Sequence, residues 1–302
     1  RQAAIVSAGN AGVPALPQVT VSPIDMLTPK GMDCAFPSGM PSPSVAPAPG
    51  VVTQPTPPGQ AVAVAFLSDN TVAVQTREPA TLWLGSTGQV ISLSTTSRAD
   101  TGQQVFHTNA GGGVACASCH PEGGEDGRVW KFACIGARRT QSMRGGIVGT
   151  EPFHWDGDMT TFGKLVHEVF EGRMSGPALR PEISDALLGW IDTIPGLPAR
   201  TDIDQMAAER GRVLFNDTTV ACATCHTGAR LTNNKSADVG TGKLFQVPSL
   251  RNVAARAPFL HDGCAPTLKD RFGACGGGDK HGKTSNLNPA QVADLISYLE
   301  TL

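Results

Sequence analysis

The 302-residue sequence has a single tyrosine, Tyr298, and aromatic residues make up only 5% of it. Neither charge sign dominates: 24 Lys and Arg face 26 Asp and Glu, a net charge of -2. That balance gives no electrostatic footing for nucleic acid or an anionic membrane surface. No stretch approaches the roughly 18 apolar residues of a membrane-spanning helix. Residues 1–20 lack the basic-then-apolar layout of an export signal, so any such signal has been removed or was never part of this chain. No methionine follows Met206, and no histidine lies between 121 and 140. Both gaps narrow the choice of metal ligands.

What is present is equally skewed: 35 Gly, 23 Pro, 8 Cys and 40% hydrophobic residues, enough for buried cores. At roughly 150 residues per domain the length allows about two domains, or three small ones. Twelve of the prolines lie in residues 1–60. The stretch 37–58 has almost no charge and reads as a polyproline-like arm or linker, with a proline-motif ligand as the other reading. Residues 61–100 are different. AVAVAFL, TVAVQT, ATLWLG and QVISLS are short β-forming runs separated by turn residues, a four-strand meander that needs a neighbour to be stable.

From residue 101 the chain is helical in tone and repeats itself. CASCH at 116–120 returns as CATCH at 222–226, and Pro152-Phe153-His154-Trp155-Asp156-Gly157 returns as Pro258-Phe259-Leu260-His261-Asp262-Gly263, both 106 residues later. Ser142-Met143-Arg144 answers Ser249-Leu250-Arg251, and the helix at 187–194 answers that at 295–302. Landmarks in one order at nearly one offset indicate a duplicated unit. The copies are assigned to 101–200 and 201–302. In the second, Asn288 suits a helix N-cap and Pro289 the first helical position, ahead of an apolar stripe of Val292, Leu295, Ile296 and Leu299.

Two C-x-x-C-H motifs are the strongest chemical signal. The spacing lets two thiols add to the vinyls of a c-type haem while the adjacent imidazole takes the iron. Zinc or a redox dithiol is the competing reading, but neither motif has a second Cys or His pair nearby. The sequence thus calls for two covalently bound c-type haems: haem 1 on Cys116, Cys119 and His120, and haem 2 on Cys222, Cys225 and His226. Four cysteines remain. Cys264 and Cys275 flank TLKDRF and suit a short disulfide loop, leaving Cys34 and Cys134 to pair; four free buried thiols are the alternative. Haem attachment and disulfides both place the chain outside the reducing cytosol, in the periplasm, the extracellular space or at the cell surface.

The sixth ligands decide between electron transfer and chemistry. Met174 and His281 lie 107 residues apart and hold equivalent repeat positions. His281 sits in the glycine-rich loop CGGGDKHGKT, which suits close approach to a haem, and it is assigned to haem 2; a solvated loop histidine is the other reading. Met174 is the candidate for haem 1, with a core methionine as alternative.

Over about 200 positions, 101–302, the chain resembles the bacterial di-haem cytochrome c peroxidase and MauG superfamily. The matching blocks are CASCH, FHWDG, CATCH, FQVPSLRNVAARAPFLHDG (245–263) and the closing helix PAQVADLISYLETL. In detail, NAGGGVACASCHPEGGEDGRVW followed by RRTQ and PFHWDGD looks like a branch often fused behind a β-propeller, of which the meander at 61–100 would be one remnant blade. The resemblance implies a mainly α fold: two cytochrome c-like helical haem domains related by a pseudo-twofold axis, behind a small β-meander and the proline-rich arm. It implies that peroxide reacts at haem 1 and that haem 2 relays electrons. It places Trp155 between the haems and Arg251 near a haem propionate. The second copy carries His261 where the first carries Trp155, which favours a role specific to one site over that of a core aromatic.

Several positions depart from the family pattern. The distal histidine after the first CxxCH is missing. The catalytic glutamate's position reads Gly172-Arg173-Met174, with His167 and Glu171 nearby as replacement acid–base groups; an ordinary helix-surface residue is the alternative for His167. The relay's axial Met or Tyr has no counterpart. Arg256 replaces a threonine of the family's calcium site, its charge standing in for that cofactor. Three functions follow: an enzyme using hydrogen peroxide, a pure electron-transfer protein with Met174 and His281 closing both irons, or a structural haem protein in a surface assembly. Electrons would come from a small redox protein or from side chains of a protein substrate.

Overall fold

A computed structural model describes residues 2–7, 18–23, 52–54, 57–68, 70–132 and 135–302. In chain order the strands are β1 (Gln2–Ser7), β2 (Gln18–Pro23), β3 (Val52–Gln54), β4 (Ala61–Phe66), β5 (Val72–Thr76), β6 (Thr81–Leu84), β7 (Val90–Ser92), β8 (Val129–Phe132), β9 (Gly136–Arg139), β10 (Ser236–Asp238) and β11 (Leu244–Gln246). The helices are α1 (Thr101–His107), α2 (Cys116–Cys119), α3 (Phe162–Leu165), α4 (Pro181–Thr193), α5 (Gln205–Asn216), α6 (Leu268–Arg271) and α7 (Pro289–Leu299). None of the described helices is long and apolar enough to cross a membrane.

The chain divides into two compact units. One comprises residues 1–31, 35–118 and 166–187; the other comprises 32–34, 119–165 and 188–302. The division does not follow the repeat boundaries read from the sequence. In the first unit the meander forms as expected, β4 to β7 pairing antiparallel in chain order around Ala61, Val72, Val74 and Trp83. Alternation along β5 and β6 places their inward positions on one face, as a half-buried sheet requires. Three further strands, β1 to β3, form a second antiparallel sheet inside the segment read as an extended arm. β3 lies at its edge. Asp100 caps α1 by accepting from the Gln103 amide at 2.8 Å, and Phe106 is fully buried.

The second unit is built on α5 and α7. Gly211 lets them approach: a Cβ there would collide with the Asp294 carbonyl. Arg210 bridges to Asp294, and Phe215 meets Tyr298 edge-on at 5.1 Å. The expected cap of α7 is present as a reciprocal pair, the Asn288 side chain taking the Gln291 amide while Gln291 takes the Asn288 amide. Leu295 and Leu299 carry the apolar stripe into a core with Phe215, Val253, Phe259 and Leu268.

The repeated PF-x-x-DG block folds the same way twice. Phe153 bridges Met159 and Phe259 bridges Ala265. His154 and Leu260 take φ of 67° and 70°, and Gly157 and Gly263 take 62° and 67°. The duplication seen in sequence is therefore also a duplication of local backbone.

Candidate functional site

In the second attachment motif, Cys222–Thr224 forms a single 3-10 turn, and the His226 amide closes back onto the Cys222 carbonyl at 3.1 Å. His226 Nδ1 lies 3.2 Å from the Leu231 carbonyl. A carbonyl only accepts, so the proton sits on Nδ1 and Nε2 keeps its lone pair for a metal. Burial pushes His226 down to about 4 and His281 to about 2, so both rings are neutral and able to ligate. The two imidazoles face one another with centroids 6.4 Å apart and planes 35° apart. With a metal–imidazole bond of about 2.0–2.1 Å on each side, His226 and His281 would be able to hold one metal ion between them.

Cys222, Cys225, His226 and His281 all line one cavity, whose empty space counted to its open mouth is about 1550 Å³. Phe259, Leu268, Leu295 and Leu299 supply apolar wall, which suits the faces of a porphyrin. Arg139, Arg256 and Arg271 line it as well. Arg251 does not. Its guanidinium is spent on the carbonyls of Gly145 at 2.6 Å and Ala229 at 3.2 Å.

Trp155 is a buried wall residue of the same cavity. Its indole N–H donates to the Arg139 carbonyl at 2.7 Å, and the Arg139 guanidinium lies over its ring at 5.8 Å. His261, the repeat counterpart of Trp155, meets it edge-on at 6.3 Å and stacks on Phe245 at 3.9 Å. The position that diverged between the copies is thus a contact between them.

Arg139 also belongs to a buried cluster that sequence reasoning saw only at Arg256. Glu125 accepts from Arg256 Nε at 2.8 Å, from Arg139, and from the Ser142 amide at 3.0 Å. Arg256 extends to the carbonyls of Ser249 and Arg251, much as a bound cation would. No cluster of metal-ligating side chains occurs among the described residues. Glu125→Ala would leave two buried guanidiniums without a counter-charge, and is expected to cost about 3–5 kcal/mol in denaturant unfolding.

In the first motif, α2 puts Cys116 and Cys119 on one face of a single turn. Burial pushes Cys119 up to about 11 and His120 down to about 4, with His154, the chain neighbour of Trp155, also lowering His120. His120 Nδ1 is buried without a partner, whereas His226 has one.

His167 and Glu171 lie on a π-helical turn, Val166–Arg173, that continues α3; no sequence signal announced it. His167 Nδ1 is 3.0 Å from Glu171, whose other oxygen takes the Leu179 amide at 3.0 Å. That amide, and then His167, hold the Glu171 carboxyl below the usual range. The His167 side chain is 76% exposed. Just beyond the turn, the Met174 carbonyl accepts from the Gly112 amide at 2.8 Å, tying this segment to the loop that leads into Cys116.

The expected Cys264–Cys275 disulfide is present, its Cα atoms 5.8 Å apart. Both cysteines should resist alkylation until a reductant is added; labelling of both without reductant would exclude the bond. Cys34 and Cys134 lie outside the described residues.

Residues 208–302 match the cytochrome c family. Hydrazine synthase subunit gamma of Kuenenia stuttgartiensis is 27% identical over 257 residues, covering 63% of this chain and 72% of the relative. The solved structure of that hydrazine synthase superposes with a TM-score of 0.59, over 67% of this chain and 86% of that one, at 25% identity. Methylamine utilization protein MauG of Methylophilus methylotrophus is 26% identical, covering 69% and 83%. Cytochrome c peroxidase Ccp of Escherichia coli is 25% identical, covering 63% and 54%. Together these likenesses relate the chain to the di-haem cytochrome c peroxidase and MauG proteins. They support covalently bound c-type haem and an oxidoreductase family.

Proposed function

We propose that this protein is a di-haem oxidoreductase using hydrogen peroxide at haem 1, with haem 2 as its electron relay. The proximity of His226 and His281 carries the reading: the two imidazoles would hold the iron of haem 2, and an iron held on both sides is suited to electron transfer. When bound, the haems supply the one-electron chemistry at iron and the centre where peroxide is reduced. His120 would hold the reactive iron. Glu171, kept ionised by the Leu179 amide and His167, is suited to accept a proton, and exposed His167 to exchange one with solvent. Trp155 would couple the centres: it forms part of the haem 2 cavity wall and meets His261, its counterpart in the other copy, edge-on.

The second reading, electron transfer alone, draws on the Met174–Gly112 tether, which brings a thioether-bearing segment to the loop before Cys116. Export to the periplasm or cell surface fits covalent haem attachment and the Cys264–Cys275 disulfide. A small redox protein or a protein substrate is the proposed donor. The hydrazine synthase relative is by name a subunit, which favours a place in a larger assembly. The mass of the unfolded chain should show two covalent haems. A room-temperature spectrum of the ferric protein should contain one high-spin and one low-spin haem, and one equivalent of peroxide should change it promptly. Two low-spin haems inert to peroxide would give the electron-transfer reading.

A further inference from the structure

His281 is carried by a segment that does little to fix its own position. Between Cys275 and His281 the chain reads Gly-Gly-Gly-Asp-Lys, and three successive glycines have no side chains to anchor and the most backbone freedom to lose. The three glycines contribute no side-chain anchor, so the imidazole is placed by the residues around them. Within the run the Asp279 carboxylate takes the amides of Thr284 and Ser285, each at 3.0 Å, and Lys280 lies 3.6 Å from the Asp238 carboxylate; beyond it the Lys283 amide reaches the Val220 carbonyl at 2.9 Å. On the cavity side one side chain holds the residue itself: Arg271 donates to the His281 carbonyl.

Arg271 is an unusual choice for that contact. It lines the cavity, and burial pulls its guanidinium down to about 10. Its carbon stem is carried by α6, a single turn of four residues that would not persist alone. Three features fix that turn. Leu268 is buried in the core, Thr267 and Asp270 cap each other reciprocally, and the Cys264–Cys275 disulfide closes the loop around it. The guanidinium also stacks over Phe272 at 4.7 Å.

We infer that Arg271 is a positioning residue for His281, and that the Cys264–Cys275 disulfide keeps it in place. The inference rests on the reading of His281 as the sixth ligand of haem 2. The disulfide joins both ends of the loop carrying Arg271, and Arg271 joins that loop to the ligand's backbone. Loss of either link frees the glycine run to carry the imidazole off the iron, without changing any atom of the ligand itself.

The test uses the holoprotein, with ferric spin state and the rate of carbon monoxide binding to ferrous haem 2 as readouts. That rate is limited by departure of the sixth ligand. Arg271→Met and the double variant Cys264→Ser/Cys275→Ser are each expected to raise the rate at least tenfold and to produce a high-spin fraction at haem 2. Arg271→Lys, which keeps a donor, should fall between them and wild type. An unchanged haem 1 spectrum in each variant reports that the chain is folded. If His281→Ala abolishes the low-spin signal while these three variants keep the wild-type spin state and rate, the positioning role is overturned and the ligand assignment stands. If His281→Ala leaves the spectrum unchanged, the ligand assignment falls and the positioning role falls with it.

Discussion

Replacing His281 with alanine is expected to convert one of the two haems from low-spin to high-spin and to leave the other as it was. The effect should be near-complete, because a methyl group can neither reach nor ligate the iron. The remaining imidazole, His226, keeps its proton on Nδ1 through the Leu231 carbonyl and so stays on the metal. Ferric absorption and electron paramagnetic resonance would both register the change, and the opened haem should then bind cyanide. Added imidazole should restore the low-spin signal. An unchanged spectrum would mean that the ligand is elsewhere; His261, also on the cavity wall, would be the next residue to replace.

The second large effect is expected at Trp155. Trp155→Phe retains an apolar ring in a buried wall but raises the oxidation potential of the bridge. Haem 1 should still react with one equivalent of peroxide, whereas the response of haem 2 should slow by about tenfold or more, equivalent to about 1.4 kcal/mol of barrier. Stopped-flow spectra at wavelengths that separate the two haems would measure both phases. The substitution also orphans the Arg139 carbonyl that accepts from the indole, a stability loss of about 1–3 kcal/mol visible in unfolding. A variant that loses stability but relays electrons at the wild-type rate would reduce Trp155 to a packing residue.

The features legible in sequence were those whose physics is local. The helix at Pro289–Leu299 declared itself through Asn288, Pro289 and a 3.6-residue apolar period, and the meander at 61–92 through alternation and turn residues. The CxxCH motifs and the short Cys264–Cys275 loop are likewise readable within a dozen residues. His281 became a candidate only because the duplication supplied a register in which to compare it with Met174. What stayed hidden depends on distant partners. Arg256 meets Glu125 across 131 residues and Arg139 meets the Arg256 carbonyl across 117, pairings that no periodicity encodes. Arg271 looked like one charge in TLKDRF until its loop was closed and its side chain turned inward. The strands at 2–7, 18–23 and 52–54 were masked by a composition that otherwise reads as linker, and the π-helical turn carrying His167 and Glu171 has no pattern distinct from an α-helix.

The contact between Trp155 and His261 bears on how the molecule can change over generations. After a duplication, one copy ordinarily drifts while its twin preserves the original role. Here the same position of both copies shares a single edge-to-face contact, so neither residue can drift unseen by the other. Exchanging its members, with histidine at 155 and tryptophan at 261, keeps the composition while reversing which copy carries the oxidisable ring.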